Sequence, residues 1–320
     1  MYARSPPESR TAHCWRQHSL VNSLAAIIEL LRPAQWSKNL IIFAAVLFSP
    51  ARVVLDKPEV VLQALQGFFA FCLLSSAVYA LNDLLDLSAD REHPKKKSRP
   101  LPSGRVSPGM AAALALLLGG VGMGWAFYLD LYFGAVAAIY LTVNLAYSLG
   151  LKRAVILDVL LLSMGFVLRA VGGVAVIRSM LPDVYLSYWL ILCAFLLSLF
   201  LALAKRRHEI ALLGESAAIH RPSLAAYNLT FIDQMLASLC AATMVAYSLY
   251  TISDDTFRHY GTRALFWTLP FVVYGLFRYL YLIYNKGEGG DPSKLLIKDR
   301  ATLINVALWA ITTAGIVYLT

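Results

Sequence analysis

The feature that most constrains this chain is a series of nine long apolar runs. They fall at about 39–55, 60–81, 108–129, 132–149, 155–177, 185–204, 229–252, 264–284 and 301–319. Runs of roughly 18 residues or more match the thickness of a bilayer core, where a helix satisfies its own backbone polar groups. With 59% hydrophobic and only 15% charged residues, the composition excludes an ordinary soluble domain. The expected fold is an all-α membrane protein of nine transmembrane helices. The first span is the weakest, because Pro50 and Arg52 interrupt it.

Basic residues set the orientation. With nine spans, the N-terminal segment and the loops after spans 2, 4, 6 and 8 share one side. Those segments hold most of the 28 Lys and Arg residues. The opposite side keeps Arg52, Lys57, Arg178, Arg258 and Arg263, and Arg169 and Arg278 lie within spans. Lys and Arg favour the cytoplasmic side, so the N-terminus is expected in the cytosol of a bacterial-type inner membrane. The net charge of +9 is then topology signal and attraction to anionic membrane lipids, and it calls for no nucleic acid. Cys14, Cys72, Cys193 and Cys240 are scattered without metal-ligand spacing, so no disulfide framework is implied. Residues 1–25 carry Arg and His but no apolar core, which reads as a disordered cytosolic tail and not a signal peptide. Residues 26–320 form one transmembrane domain.

At the end of the second span the chain reads Asn82-Asp83-Leu84-Leu85-Asp86-Leu87-Ser88-Ala89-Asp90. On a helix Asp83, Asp86 and Asp90 share a face over two turns. Three carboxylates pointing the same way repel unless a cation lies between them. Hard oxygen ligands suit Mg²⁺, which bridges carboxylates to substrate phosphates. Arg91, Lys95, Lys96, Lys97, Arg99 and Arg105 follow at once. Acid beside base at the mouth of a membrane protein reads as a metal-diphosphate site; a solvated acidic helix end is the plainer alternative. Arg91 and Arg99 are the candidates for phosphate contact. Lys95-Lys96-Lys97 reads as a lipid-facing topology cluster. Pro94, Pro100, Pro102 and Gly104 predict an irregular loop with free backbone amides.

Other polar residues enter from the same side. Trp36 reads as an interface anchor. Lys38 and Asn39 are either snorkelling ends or substrate ligands. Tyr147 and Lys152 close span 4. Asp158 and Arg169 sit eleven residues apart in span 5, nearly in line, facing either a cavity or a structural partner. Lys205 and Glu209, i and i+4 at the end of span 6, form a candidate second polar wall. Gly120 and Gly124 in span 3 have the spacing of a close helix contact, and Gly172-Gly173 suggests packing or a local unwinding. The polar groups crowd at one end, which argues against a transporter with polar groups in both membrane halves. A cytosol-facing cavity among the helices is expected.

The motif Asn82-Asp83-x-x-Asp86-x-x-x-Asp90 with nine spans resembles the UbiA superfamily of intramembrane prenyltransferases, over about residue 30 to the end. Within it the chain is most similar to the decaprenyl-phosphate phosphoribosyltransferase branch. The matching stretches are Arg32-Pro33-Ala34-Gln35-Trp36-Ser37-Lys38-Asn39, Asp90-Arg91-Glu92-His93-Pro94 with Arg99-Pro100, Gly150-Leu151-Lys152, Leu168-Arg169-Ala170, Lys205-Arg206, Arg278-Tyr279 and Asp299-Arg300. The resemblance implies transfer of 5-phosphoribose from phosphoribosyl diphosphate to a polyprenyl phosphate. It also implies Mg²⁺ on Asp83, Asp86 and Asp90, which are the catalytic and metal residues, with Asn82 fixing the geometry. The substrate-binding residues would be Lys38, Asn39, Asn82, Arg91, Arg99, Tyr147, Lys152, Arg169 and Lys205, with the cations among them holding phosphates. The alternative is prenyl transfer from a prenyl diphosphate to an aromatic acceptor. The aromatic prenyltransferases of the superfamily carry a second Asp-rich motif, and this chain lacks one. The sequence is compatible with a homo-oligomer.

Overall fold

The computed structural model describes residues 24–47, 57–92, 94, 96–182, 187–213, 226–290, 295 and 298–319. Every regular element among them is helical. Eight long helices, here α1 to α8, run over Pro58–Leu85, Pro108–Leu129, Leu131–Leu149, Leu157–Ile177, Tyr188–Leu213, Leu229–Ile252, Leu269–Lys286 and Arg300–Leu319. They correspond to expected spans 2 to 9, and each is long and apolar enough to cross a membrane. The first half of the remaining span is a 3-10 helix, Pro33–Phe43, followed by Ala44–Leu47. Its second half, and the expected tail up to residue 23, lie outside the described residues. Residues 24 and 25 already belong to a short helix, 24–31.

Local sequence explains the boundaries. Ser107 accepts from the Met110 amide at 3.2 Å and Pro108 occupies the first turn, so α2 starts there. Asp130 ends α2 and also caps α3, accepting from the Phe133 amide at 3.0 Å. The resulting hairpin is so tight that a side chain on Gly134 would strike the Phe127 ring. Asn228 caps α6 in the same way, 2.6 Å from the Phe231 amide.

α1 and α4 are the most enclosed of the long helices. One apolar cluster joins them to α3 and the 33–47 segment through Phe71, Phe133, Tyr140, Ile42 and Val176. A second, with Phe200, Ile232, Leu236 and Leu282, joins α5, α6 and α7. Outer faces keep apolar side chains such as Leu116, Leu131 and Ile311 exposed, as lipid contact allows. Lipid is as apolar as a core, so close packing and buried hydrogen bonds must hold the helices together.

Glycines mark the close approaches, and not where spacing placed them. Gly120 and Gly124 face open space. Gly122 is the contact, meeting Leu74 at 3.0 Å and the Ala70 carbonyl at 3.3 Å if given a Cβ. A regular spacing says nothing about which face meets a neighbour. Gly173 lets the Ile42 backbone lie against α4, where a Cβ would come within 2.3 Å of the carbonyl oxygen. α4 continues through both glycines without unwinding.

The loop after α1 is also more ordered than expected. Its amides are used: Arg99 donates to Lys96 O at 3.0 Å, Ser103 to Arg99 O at 3.0 Å and Val106 to Pro100 O at 3.0 Å. Leu101 and Val106 are buried against helix 24–31 through Ala26 and Leu30. Arg105 ties the two together, 2.7 Å from Glu29 and 2.7 Å from the Ser98 carbonyl.

Candidate active site

The acidic motif spans a break. α1 ends at Leu85, and Asp86 adopts φ −97° and ψ 7° before a short helix, Leu87–Glu92, carries Asp90. This sparsely populated region often holds active-site residues. The expected single face therefore divides. Asp83 and Asp90 are buried and share Arg99, at 3.3 and 2.7 Å, while Asp86 is partly exposed and meets Lys152 at 2.5 Å.

Four cations converge on these carboxylates from different elements. Arg32 reaches Asp83 at 2.5 Å. It precedes Pro33 with a left-handed backbone, φ 52°, and its guanidinium lies 5.1 Å from the Tyr79 ring centre. Lys96 lies 3.3 Å from Asp90. Arg99 lies on the ordered loop, and Lys152 on the 3-10 turn Leu151–Arg153 after α3. From sequence Arg32 stands only within a stretch of resemblance, and Lys96 reads as part of a lipid-facing cluster. Lys96 looks like one of three equivalent lysines, yet it faces the motif. The usable signal for Arg32 was its place just before a proline at the mouth of the bundle.

Among the described residues, no group of three Asp, Glu, His or Cys side chains converges closely enough to hold a metal ion as the side chains stand. The donor chemistry nonetheless fits a hard cation. The motif offers three carboxylates, and Asn82 Oδ1 is buried with no hydrogen-bond partner, on the same helical side as Asp86. The four cations hold the carboxylates that such an ion would use.

Other candidates lie elsewhere. Asn39 and Arg169 meet each other in the core, not the aspartates. Arg169 donates to Asn39 Oδ1 at 2.6 Å, to the Gly165 carbonyl at 2.7 Å and to Tyr140 Oη at 2.8 Å. Asn39 in turn donates to Ser75 Oγ at 3.2 Å. Their arrangement ties the 33–47 segment to α1, α3 and α4. Trp36 also turns inward, donating to Ser76 Oγ at 3.0 Å. Lys38 and Tyr147 are half-buried, Lys205 is exposed, and Arg91 is exposed without an ion pair among the described residues.

A second polar cluster occupies the same end. Asp158, fully buried at the start of α4, accepts from Arg206 Nε at 3.0 Å and from the Tyr227 hydroxyl at 2.9 Å. Arg206 also meets Glu209 at 2.5 Å. The expected Lys205–Glu209 wall is thus an Arg206–Glu209 pair. Arg207 pairs with Asp233 at 2.6 Å, and Tyr284 joins them at 3.1 Å. Asp299 takes both Arg278 Nε at 3.1 Å and Nη2 at 2.8 Å, plus the Thr302 amide and hydroxyl. The Arg278 hydrogen bonds, then those of Thr302, hold the Asp299 carboxyl well below the usual carboxylate range.

An acidic helix end ringed by cations, at one end of an apolar bundle, is the geometry to set beside known proteins. The sequence profile of the UbiA prenyltransferase family matches residues 39–314. The chain belongs to this family. It is therefore an integral, multi-pass membrane protein and a transferase by kinship. It is 33% identical over 306 residues to the decaprenyl-phosphate phosphoribosyltransferase of Mycolicibacterium smegmatis, covering 93% of this chain and 94% of that one. The Corynebacterium glutamicum protein of the same name is 32% identical over 305 residues, covering 93% and 88%. A UbiA homologue from Archaeoglobus fulgidus, solved bound to GPP and Mg²⁺, superposes with a TM-score of 0.67 at 16% identity over 91% of this chain and 99% of that one. At that identity the likeness shows a shared UbiA fold.

Proposed function

We propose that this UbiA-family protein transfers 5-phosphoribose from phosphoribosyl diphosphate to a polyprenyl phosphate, releasing diphosphate, on the cytosolic side of the cell membrane. The product would serve as a lipid-linked precursor for cell-envelope glycan. The names of the relatives that match nearly end to end support the substrates, and the distribution of Lys and Arg supports the orientation.

The observation that carries this reading over prenyl transfer is the makeup of the second polar cluster. Asp158, Glu209, Asp233 and Asp299 are each engaged by Arg206, Arg207 or Arg278. Among the described residues they make no second acidic set for a prenyl diphosphate. The motif end is instead rich in cations, which suits a donor carrying a diphosphate and a separate 5-phosphate.

Asp83, Asp86 and Asp90, with Asn82, would hold Mg²⁺ against the donor diphosphate. When bound, the metal neutralises charge on the departing diphosphate. Arg32, Lys96, Arg99 and Lys152 now hold these aspartates, and would turn to donor phosphates as the carboxylates take the cation. Because the lipid phosphate is already ionised, the chain needs no strong general base. Its oxygen attacks the anomeric carbon as the carbon–oxygen bond to diphosphate breaks, inverting the sugar from α to β. The apolar walls of the bundle admit the lipid and limit water, which would otherwise hydrolyse the donor.

The test uses purified protein in detergent with a polyprenyl phosphate, Mg²⁺ and radiolabelled phosphoribosyl diphosphate. Metal-dependent movement of label into the organic phase is expected. No transfer, with a prenyl diphosphate and an aromatic acid reacting instead, would return the protein to the prenyl-transferring members of its family.

A further inference from the structure

Lys152 sits on the short connection between α3 and α4, and Ala154–Ile156 alone separate its 3-10 turn from α4. The side chains of Leu151, Arg153, Val155 and Ile156 are exposed, so no apolar core anchors this stretch. It nevertheless ends in a demanding conformation. Ile156 has φ 71° and ψ −45°, a positive-φ backbone outside the left-handed helical well that a β-branched residue keeps only when its surroundings impose it.

The restraint comes from two later helices. The Ile156 amide donates to Tyr227 Oη at 2.7 Å, just before α6. The Tyr227 hydroxyl donates to Asp158 Oδ1 at 2.9 Å, and Arg206 of α5 holds Asp158 Oδ2 at 3.0 Å. Asp158, Arg206 and Tyr227 are all buried, where hydrogen bonds are strong and costly to leave unmade. Burial pushes the Tyr227 hydroxyl up to about 12, so it remains a donor through the neutral range.

We propose that Tyr227, braced by Asp158 and Arg206, is a positioning residue that fixes the 150–156 connection and thereby holds Lys152 in register with Asp86. It touches no substrate. The inference rests on the reading of Lys152 as a ligand for the donor's phosphates.

The test is a double-mutant cycle on the full-length protein in detergent: Tyr227→Phe, Lys152→Ala and the pair. Phe keeps the ring stacked beside Phe231 and removes only the hydroxyl. Each variant is assayed for phosphoribosyl transfer and titrated calorimetrically with Mg²⁺ and inorganic diphosphate. Tyr227→Phe should raise KM for the donor about tenfold while kcat changes little, weaken diphosphate binding to match, and add nothing once Lys152 is gone. Ile156→Gly, which adopts the positive φ freely, should restore part of that affinity to Tyr227→Phe. Effects of Tyr227→Phe and Lys152→Ala that multiply, with no rescue by Ile156→Gly, would overturn the inference. If wild-type protein transfers no phosphoribose yet the binding cycle shows the same coupling, the donor assignment fails and the positioning role stands.

Discussion

Asp86 differs from its two neighbours in the motif. Its side chain is 30% exposed where those of Asp83 and Asp90 are 3% and 2%, and its backbone sits in the break between two helices. Replacing it with Asn removes a charge at a partly exposed position without disturbing packing. Asp86→Asn should therefore reduce turnover by at least about a hundredfold, the scale of losing one group that stabilises developing charge, while the protein still melts cooperatively in detergent. Activity near wild type at ordinary Mg²⁺ would contradict the assignment. Arg169 should behave in the opposite way. Removing it strands Asn39 Oδ1 and Tyr140 Oη in the core, while the Gly165 carbonyl keeps its helical partner, so Arg169→Leu should cost about 3 kcal/mol of stability. A shifted melting transition with donor KM unchanged in the surviving fraction would check it. Spacing and charge single out the three carboxylates in the sequence, and the structure sets Lys152, one of several candidate cations, beside Asp86. Asn39 and Arg169 were misleading for a physical reason: a polar residue within a span signals a partner, and sequence does not say whether that partner is substrate or another helix.

The helices were legible from run length alone, but their contacting faces were not. α2 is apolar all round, so no polar stripe marks its inner side, and the packing glycine is Gly122, not Gly120 or Gly124. Gly173→Ala should destabilise by about 2 kcal/mol, because the added methyl meets backbone that cannot rotate away. Gly120→Ala should be neutral to slightly stabilising, since its face is open and Ala favours helix. Melting temperatures of the two variants in one detergent decide the matter. The α7–α8 junction offers a pH test. A carboxylate with a depressed pKa contributes stability above its unfolded value, near 4, and loses it only as pH falls through the lower folded value. The melting difference between wild type and Asp299→Asn should hold steady from about pH 8 to about pH 5 and close only in stronger acid. A difference that vanishes near pH 6 would mean that Asp299 is not held by Arg278.

Across the molecule, alternating helices bring one end of every span to the same level, so residues from Arg32 to Asp299 meet in successive ion pairs. Only topology could assemble them, which is why Arg32 and Lys96 were missed although the aspartates they serve were not. The chain thus places basic side chains around an acidic motif at the end of an apolar bundle. In the proposed reaction a sugar carbon is transferred, not a prenyl or phosphoryl group. The direct measurement is the fate of ¹⁸O placed in the donor between the anomeric carbon and the diphosphate. Incubation with polyprenyl phosphate and Mg²⁺ should break the carbon–oxygen bond, leaving all the label in released diphosphate and phosphoribose on the lipid. Label retained on free ribose 5-phosphate while an unlabelled diphosphoryl group joins the lipid, or an unchanged donor beside an active prenyl diphosphate, would overturn this reading.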